Sequence, residues 1–183
     1  LTAGQAKDVA ARAKKKYREI IAKLPEFDKR DRFEMNIVNC AMLAAFILCM
    51  PQRPDIKTLT DYYAAAMMTP TMKAFCRASG KKKFTPKDIE GMKATAKLRA
   101  GDRNPYSWNM DFFEYEDGSG YEARFTTCGI CTLMQVLGLY DLTPALCHLD
   151  YTMSDAGGAS DFVREYTLAS GGPYCDCGYH KKQ

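Results

Sequence analysis

The hydrophobic pattern of this 183-residue chain changes its period near residue 105. Before that point, apolar residues recur at steps of three and four, which is the period of an amphipathic helix. After it, segments rich in aromatic and β-branched residues indicate strands. A chain of this length fits one domain, so we expect a single domain, 1–183, with a helical part, 1–104, and a sheet and cysteine-rich part, 105–183. The expected fold class is therefore α+β.

Proline and glycine divide the helical part into segments. The longest apolar run, Ile37–Met50, is interrupted only by Asn39. It is shorter than the roughly 20 residues that span a bilayer, so it predicts a buried helix. Threonine followed by proline, as at Thr69-Pro70 and Thr85-Pro86, is typical of a capped helix start. The predicted helices are Ala3–Leu24, Asp28–Met50, one that begins near Thr58, Thr69–Gly80 and Thr85–Gly101.

The C-terminal part is predicted to contain a β-hairpin, two helices and two more strands. The hairpin turns at residues 117–120, whose sequence is Asp-Gly-Ser-Gly, and the last two strands turn at 171–173. This order, ββααββ, predicts a four-stranded antiparallel sheet with helices packed on one face. The predicted elements are strands Trp108–Glu116 and Tyr121–Thr127, helices Cys128–Leu137 and Thr143–Ser154, and strands Phe162–Leu168 and Tyr174–His180.

The eight cysteines are interpreted as thiols, because 46% of the residues are hydrophobic and supply a core without disulfides. Since no charged and then apolar leader opens the chain, we expect a cytoplasmic location. The net charge is +4, and lysines gather at Lys14–Lys16 and Lys81–Lys83. Acidic residues are interspersed and no aromatic platform accompanies the lysines, so both runs predict a solvated surface rather than a nucleic-acid or membrane partner.

Several common functional motifs are absent from the sequence. It contains no GxGxxG, phosphate loop, HExxH or GxSxG. This argues against nucleotide binding, zinc-protease chemistry and the α/β-hydrolase mechanism. The expected partner is a small molecule, and the sequence does not predict an oligomeric state.

Cys128 follows Thr126-Thr127 at the predicted junction between a strand and a helix. Backbone N–H groups at a helix N-terminus favour an anion, so this position lowers the pKa of a thiol and makes it a usable nucleophile or metal ligand. The alternative is a small buried residue at the start of a helix. Cys131 completes a CxxC, a spacing that fits a redox pair or half of a metal site.

Cys175 and Cys177 form a CxC in the last predicted strand, where alternation directs both side chains to one face. Together with Cys128 and Cys131 they would supply four thiolates, enough for a tetrahedral zinc site. Structural zinc sites more often use two CxxC knuckles, so we expect no cofactor and keep zinc as the alternative.

Cys147 and Asp150 lie three residues apart on a predicted helix and therefore share a face. They form either a catalytic acid–thiol pair or a capping carboxylate beside a core cysteine. His148 points elsewhere, and His148 and His180 are the only histidines. Neither belongs to a recognisable motif, which favours a structural role for both over catalysis.

Three blocks of the C-terminal half resemble the L-2-amino-thiazoline-4-carboxylic acid hydrolase family. The likeness covers about residues 105–180. Two positions depart from it: Cys177 stands where the family has an aromatic residue after Cys-Asp, and Cys131 has no counterpart. The blocks are Cys128 to Leu137-Gly138, Cys147-x-x-Asp150, and Thr167-Leu168-Ala169-x-Gly171-x-x-x-Cys175-Asp176.

The resemblance implies an enzyme that opens a thiazoline ring with water to give N-carbamoyl-L-cysteine. A thiolate attack on the amidine carbon fits this chemistry, with Cys128 as nucleophile and Cys147 or Cys175 as the other candidates. Asp150 or Asp176 would hold the amidinium and position water. The substrate carboxylate would be clamped by Arg124 or Arg164. The alternatives are a non-catalytic small-molecule-binding domain similar to the vinyl-reductase type and a zinc-stabilised interaction domain.

Overall fold

The computed structural model describes residues 2–182 and contains a helical N-terminal half followed by a four-stranded antiparallel sheet with further helices, so the predicted α+β class is confirmed. In the N-terminal half the helices are α1 (Ala3–Ile21), α2 (Glu34–Cys49), α3 (Ile56–Met67), α4 (Pro70–Gly80) and α5 (Pro86–Arg99). The C-terminal half holds β1 (Asp111–Glu114), β2 (Gly120–Phe125), α6 (Gly129–Val136), α7 (Thr143–Cys147), α8 (Leu149–Gly157), β3 (Ser160–Val163) and β4 (Cys175–Lys181).

The helix starts follow local capping chemistry. Thr69 and Thr85 each accept a hydrogen bond from a backbone N–H of the first turn, and a proline follows each of them. Helix α2 begins at Glu34, later than predicted, because the preceding residues form turns. In these turns the Asp28 and Asp31 carboxylates accept from the backbone N–H two residues further on. The buried helix predicted from the apolar run is α2, and α1 packs along it.

All neighbouring strands of the sheet are antiparallel, in the order β1-β2-β4-β3. Strand β4 is therefore central, and its Cys175 and Cys177 pair with Phe125 and Ala123 of β2. Both hairpin strands are shorter than predicted. Among residues 2–182, no helix is long and apolar enough to cross a membrane.

The predicted helix Thr143–Ser154 is divided into α7 and α8 at His148. The cause is a side chain from a distant segment. The Arg164 guanidinium donates a 2.8 Å hydrogen bond to the Cys147 carbonyl, which takes that oxygen out of the helical pattern.

The third strand is shorter and begins earlier than the predicted Phe162–Leu168, since β3 ends at Val163. Beyond it, the Asp176 carboxylate accepts hydrogen bonds from the backbone N–H of Glu165 and of Tyr166, at 2.9 and 2.6 Å. These N–H groups bond a side chain rather than a neighbouring strand, so the chain leaves the sheet here.

Candidate active site

A cavity of about 540 Å³ lies between α2, the α3–α4 pair, α7, α8 and one face of the sheet. Much of its wall is apolar, with side chains such as Met67, Met72 and Phe75. The polar groups that line it include most of the side chains selected from the sequence. These are Cys128, Cys147, Asp150, Arg164, Cys175 and Cys177. A largely apolar cavity with a few convergent polar groups is the usual form of a small-molecule site.

Cys128 is held at the junction of β2 and α6, as predicted. The Asn109 amide oxygen accepts from the backbone N–H groups of Thr126 and Thr127 at 3.1 and 2.8 Å, which fixes the end of the strand. Gly129 starts α6 against another segment: a Cβ there would lie 2.0 Å from the Tyr106 carbonyl oxygen. Only glycine permits this close approach.

The pKa of the half-buried Cys128 thiol is lowered from its ordinary value. The largest cause is a hydrogen bond from the Cys131 thiol, and the backbone N–H groups of Cys131 and Ile130 and the Trp108 side chain act in the same direction. Burial opposes them. The helix N-terminus therefore contributes as expected, but the second thiol of the CxxC contributes more. Cys131 keeps its proton, because donation to Cys128 raises its own pKa.

Asp150 and Arg164 form an ion pair in the cavity wall. The Arg164 Nη1 atom lies 2.8 Å from Asp150 Oδ2, and the Arg164 side chain is only 7% exposed. Burial raises the pKa of Asp150, and Arg164 partly offsets this. The same guanidinium donates a hydrogen bond to the Cys147 carbonyl, and it offsets part of the rise in the pKa of Cys177. Because Arg164 is used in these contacts, it positions Asp150 rather than presenting a free cation to a ligand.

The other thiols of the cavity are protonated at neutral pH. Burial raises the pKa of Cys147 to about 12, and it raises the pKa of Cys175 and of Cys177 as well. Cys175 accepts a 3.2 Å hydrogen bond from the Leu168 N–H, which lowers its pKa but does not outweigh burial. Cys128 is thus the thiol in this cavity that is most readily ionised.

Two of the predicted site residues are not brought to the cavity. Asp176 lies between Cys175 and Cys177 in β4, so strand alternation places it on the opposite face, in a groove with Glu122 and Glu165. Arg124 pairs with Asp176 in the sheet register and forms a 2.8 Å ion pair with Glu122. These placements correct the expectations that Asp176 holds the amidinium and that Arg124 clamps the substrate carboxylate.

The two histidines have aromatic partners outside this cavity. The ring of His148 stacks at 5.7 Å on Tyr151, and that of His180 stacks at 4.7 Å on Tyr115. Neither lines the cavity. Within residues 2–182, no three Cys, His, Asp or Glu side chains are grouped closely enough to hold a metal ion. The four thiols considered for zinc, Cys128, Cys131, Cys175 and Cys177, are therefore not assembled into such a site.

Sequence reasoning missed the polar residues that the helical half contributes. Asn36 and Asn39 lie one turn apart on α2 and line the cavity, and their side chains form no hydrogen bond with residues 2–182. The polar Asn39 within the apolar run is the sequence feature that could have indicated a polar position in the cavity wall. Trp108 was also missed, although its side chain contributes to the lowered pKa of Cys128.

The fold and the site define an α+β protein whose cavity contains a cysteine with a lowered pKa and a carboxylate–guanidinium pair in which the arginine is buried. The model of the family described as L-2-amino-thiazoline-4-carboxylic acid hydrolase matches residues 35–179, and the chain belongs to this family. No curated protein matches the chain. No solved structure matches it either.

Proposed function

We propose that this protein is a hydrolase that opens a small cyclic amidine, of the 2-amino-thiazoline-4-carboxylate kind, to an N-carbamoyl-cysteine-like product. The observation that carries the proposal is that Cys128, the thiol with a lowered pKa, lines the same cavity as the Asp150–Arg164 pair. Membership of the hydrolase family supports the reaction class.

In the first step the Cys128 thiolate attacks the amidine carbon between the ring sulfur and the ring nitrogen. A bond forms from Cys128 to this carbon, and the bond between the carbon and the ring sulfur breaks. The substrate enters as the amidinium, whose N–H groups are held by the Asp150 carboxylate, and the departing sulfur takes one amidinium proton. An isothiourea remains attached to Cys128, and the substrate now carries a free thiol.

In the second step water adds to the isothiourea carbon. One water proton moves to the former ring nitrogen, and the other moves to the Asp150 carboxylate. Collapse of the adduct breaks the bond to Cys128, which leaves as a thiolate and releases the urea product. Asp150 then passes this proton to solvent. The sum is one amidinium substrate plus one water giving the urea product and one proton, and both Cys128 and Asp150 return to their starting forms.

The surrounding residues have roles that follow from their contacts. Arg164 holds the Asp150 carboxyl in one direction through its 2.8 Å hydrogen bond. The amides of Asn36 and Asn39 face the cavity without partners among the described residues, so they are available to the amino group of the amidine. The protonated Cys147 and Cys175 shape the wall beside Cys128.

The experiment compares wild type with Cys128→Ala and Cys128→Ser on 2-amino-thiazoline-4-carboxylate. Product is measured by chromatography, because the eight protein thiols would interfere with a thiol reagent. Quenched wild type should show by intact mass one substrate bound to Cys128. Cys49→Ala is the control, since Cys49 is buried and does not line the cavity.

Loss of turnover in both Cys128 variants, with Cys49→Ala active, supports the mechanism. Turnover that persists in Cys128→Ala removes Cys128 as the nucleophile. Tight binding of the ring without product in wild type would instead identify a binding domain that performs no chemistry.

A further inference from the structure

The CxxC formed by Cys128 and Cys131 has a second thiol that the proposed hydrolysis does not require. In that reaction Cys128 is the nucleophile, and Cys131 acts only through the hydrogen bond that it donates to Cys128. A hydroxyl group could donate the same bond. A thiol at this place has a chemistry that a hydroxyl lacks, because two neighbouring thiols can be oxidised to a disulfide.

The backbone places the two thiols in the first turn of α6. Cys128 is the extended residue before the helix, and its carbonyl accepts the helical hydrogen bond from the Thr132 N–H at 3.2 Å. Cys131 is the third residue of the helix. These are the two positions whose side chains meet in a capping box. Helical geometry separates Cα atoms three residues apart by about 5 Å, within the roughly 4.4–6.8 Å of disulfides.

The other thiols of the cavity are less suited to form such a bond. Cys175 and Cys177 lie side by side on β4, where Cα atoms two residues apart are separated by about 6.6 Å, near the upper limit for a disulfide. Both are buried, whereas Cys128 and Cys131 are half-buried. Cys147 lies on a different helix, α7.

Cys128 is accessible to a small oxidant. It lines the cavity of about 540 Å³ and is not sealed in the core, unlike Cys40 on α2. Hydrogen peroxide has two heavy atoms, so it needs far less space than the cavity provides. Thiolates that are accessible and have a neighbouring second thiol are the usual sites of reversible oxidation.

The protonation states of the two thiols favour oxidation in a fixed order. The lowered pKa of Cys128 makes it the thiolate that a peroxide attacks first. Cys131 keeps its proton because its pKa is raised by the hydrogen bond to Cys128, by burial and by the charge of Cys128. The first and third of these causes disappear when the Cys128 sulfur loses its negative charge. Cys131 therefore becomes easier to ionise once Cys128 has been oxidised.

We propose that Cys128 and Cys131 form an oxidisable dithiol, in which a hydroperoxide oxidises Cys128 and Cys131 then closes a disulfide with it. Formation of this bond does not depend on the proposed hydrolysis. Its consequence for turnover does, because a bonded Cys128 cannot attack an amidine carbon. In that case oxidation stops the hydrolase until a dithiol reduces the bond.

The oxidation has two steps. First, the Cys128 thiolate attacks one oxygen of the peroxide, a sulfur–oxygen bond forms and the oxygen–oxygen bond breaks. The departing hydroxide takes a proton from solvent and leaves as water, and Cys128 becomes a sulfenic acid. Second, the Cys131 sulfur attacks the Cys128 sulfur and displaces its hydroxide, which takes the Cys131 proton and leaves as water. The sum is one thiolate, one thiol, one proton and one hydrogen peroxide giving one disulfide and two waters.

The experiment treats the reduced wild-type protein with one equivalent of hydrogen peroxide, then unfolds it and alkylates the free thiols. Two of the eight cysteines should escape alkylation, so intact mass should show six labels. Dithiothreitol before alkylation should restore eight. Trypsin leaves Cys128, Cys131 and Cys147 on the peptide 125–164, and chymotrypsin then cuts after Tyr140 to separate Cys147 from the bonded pair.

The variant Cys131→Ser keeps a hydrogen-bond donor but lacks the second thiol. Its Cys128 should stop at the sulfenic acid, which dimedone labels, with at least about tenfold more label than in wild type. Cys128→Ala should form no disulfide at Cys131. Cys49→Ala is the control, because Cys49 is buried and does not line the cavity, and it should form the same bond as wild type.

Eight alkylated thiols after treatment would overturn the proposal, and so would a bond from Cys128 to Cys147 or to the peptide 165–181. Equal dimedone labelling of wild type and Cys131→Ser would also overturn it, because Cys131 would then not close the bond. Circular dichroism melts identify any variant that has failed to fold.

Turnover of 2-amino-thiazoline-4-carboxylate separates this proposal from the proposed function. Turnover should fall in proportion to the bonded fraction and return with dithiothreitol. A bond that forms without loss of turnover would leave the dithiol standing and remove Cys128 as the hydrolytic nucleophile. A bond in a protein that shows no turnover even when reduced would remove the proposed hydrolysis alone.

Discussion

The Arg164 guanidinium holds the Asp150 carboxylate at 2.8 Å and the Cys147 carbonyl at the same distance, so one side chain joins α8, the end of α7 and the segment after β3. Replacing Arg164 with Met leaves Asp150 in the cavity wall without its cation. Breaking a fully buried pair costs about 3–5 kcal/mol. Asp150 is 44% exposed, so we expect a smaller loss, about 2 kcal/mol of unfolding free energy.

The same substitution should raise the pKa of Asp150 further, because the effect of Arg164 opposes that of burial. Turnover should fall, since Asp150 loses its orientation. Urea denaturation measures the stability, and Arg164→Lys is the comparison that keeps a charge without the double hydrogen bond. Unchanged stability together with unchanged turnover in Arg164→Met would contradict the positioning role.

Removal of the Cys131 thiol should shift the pH dependence of the reaction. Cys131 donates the hydrogen bond that most lowers the pKa of Cys128, so Cys131→Ala raises that pKa. The reactive form is the thiolate, so activity rises with pH through the pKa of Cys128 and the acid limb moves to higher pH. A hydrogen bond to an anion contributes about 1.5 kcal/mol, so kcat/KM at neutral pH should fall about tenfold and recover at high pH.

Cys131→Ser keeps a hydroxyl donor at the same place and should restore most of the wild-type profile. A pH–rate profile of all three proteins checks this. A uniform loss at every pH in Cys131→Ala would indicate that Cys131 acts on packing and not on the ionisation of Cys128.

The parts of the fold that the sequence predicted are those set by local chemistry. The Thr-Pro caps at Thr69 and Thr85 and the buried helix α2 depend only on neighbouring residues. The errors come from contacts between distant segments. Arg164 divides the predicted helix at His148, and Asp176 takes the N–H groups that would have prolonged β3. Hydrophobic periodicity reflects only neighbouring residues and gives no information on contacts between distant segments.

The residues of the candidate site also divide into those set by local sequence and those brought together by contacts between distant segments. The position of Cys128 could be predicted because a strand–helix junction is visible in the sequence, and the lowered pKa agrees with it. Cys128 and Cys175 line the same cavity only because β4 pairs with β2, and this pairing depends on the strand order of the sheet. The same holds outside the site for Lys83, which is half-buried, unlike the other two lysines of its run, because only the folded chain brings the Tyr179 ring beneath it.

Asp176 should affect stability more than chemistry. Its carboxylate accepts two backbone N–H groups, of Glu165 and of Tyr166, and lies outside the cavity. Asp176→Ala removes both bonds, and we expect a loss of about 2 kcal/mol in unfolding free energy with kcat of the folded protein largely kept. The control is Asp161→Ala, which removes only an exposed 3.4 Å ion pair with Lys182 and should change stability by less than about 0.5 kcal/mol. Loss of turnover at full stability in Asp176→Ala would give Asp176 a direct part in the reaction.

Gly129 should be the glycine least tolerant of a methyl group near the site. A Cβ there would lie 2.0 Å from the Tyr106 carbonyl oxygen and 2.9 Å from Ile37 Cδ1, so Gly129→Ala must displace the start of α6 and with it Cys128. Overpacking of this kind costs about 1–3 kcal/mol, which exceeds the gain in helix propensity of about 0.5–1 kcal/mol.

The matched control is Gly91→Ala in the middle of α5, where nothing lies within 4 Å of the added atom. There the propensity effect acts alone and should stabilise the protein by about 0.5–1 kcal/mol. Urea denaturation of both variants gives the two free energies, and alkylation of Cys128 followed by mass spectrometry reports its environment. Because displacement removes the thiol from its hydrogen-bond donors, Gly129→Ala should slow alkylation near neutral pH. Equal stability of the two variants would mean that α6 can move away from Tyr106 at no cost.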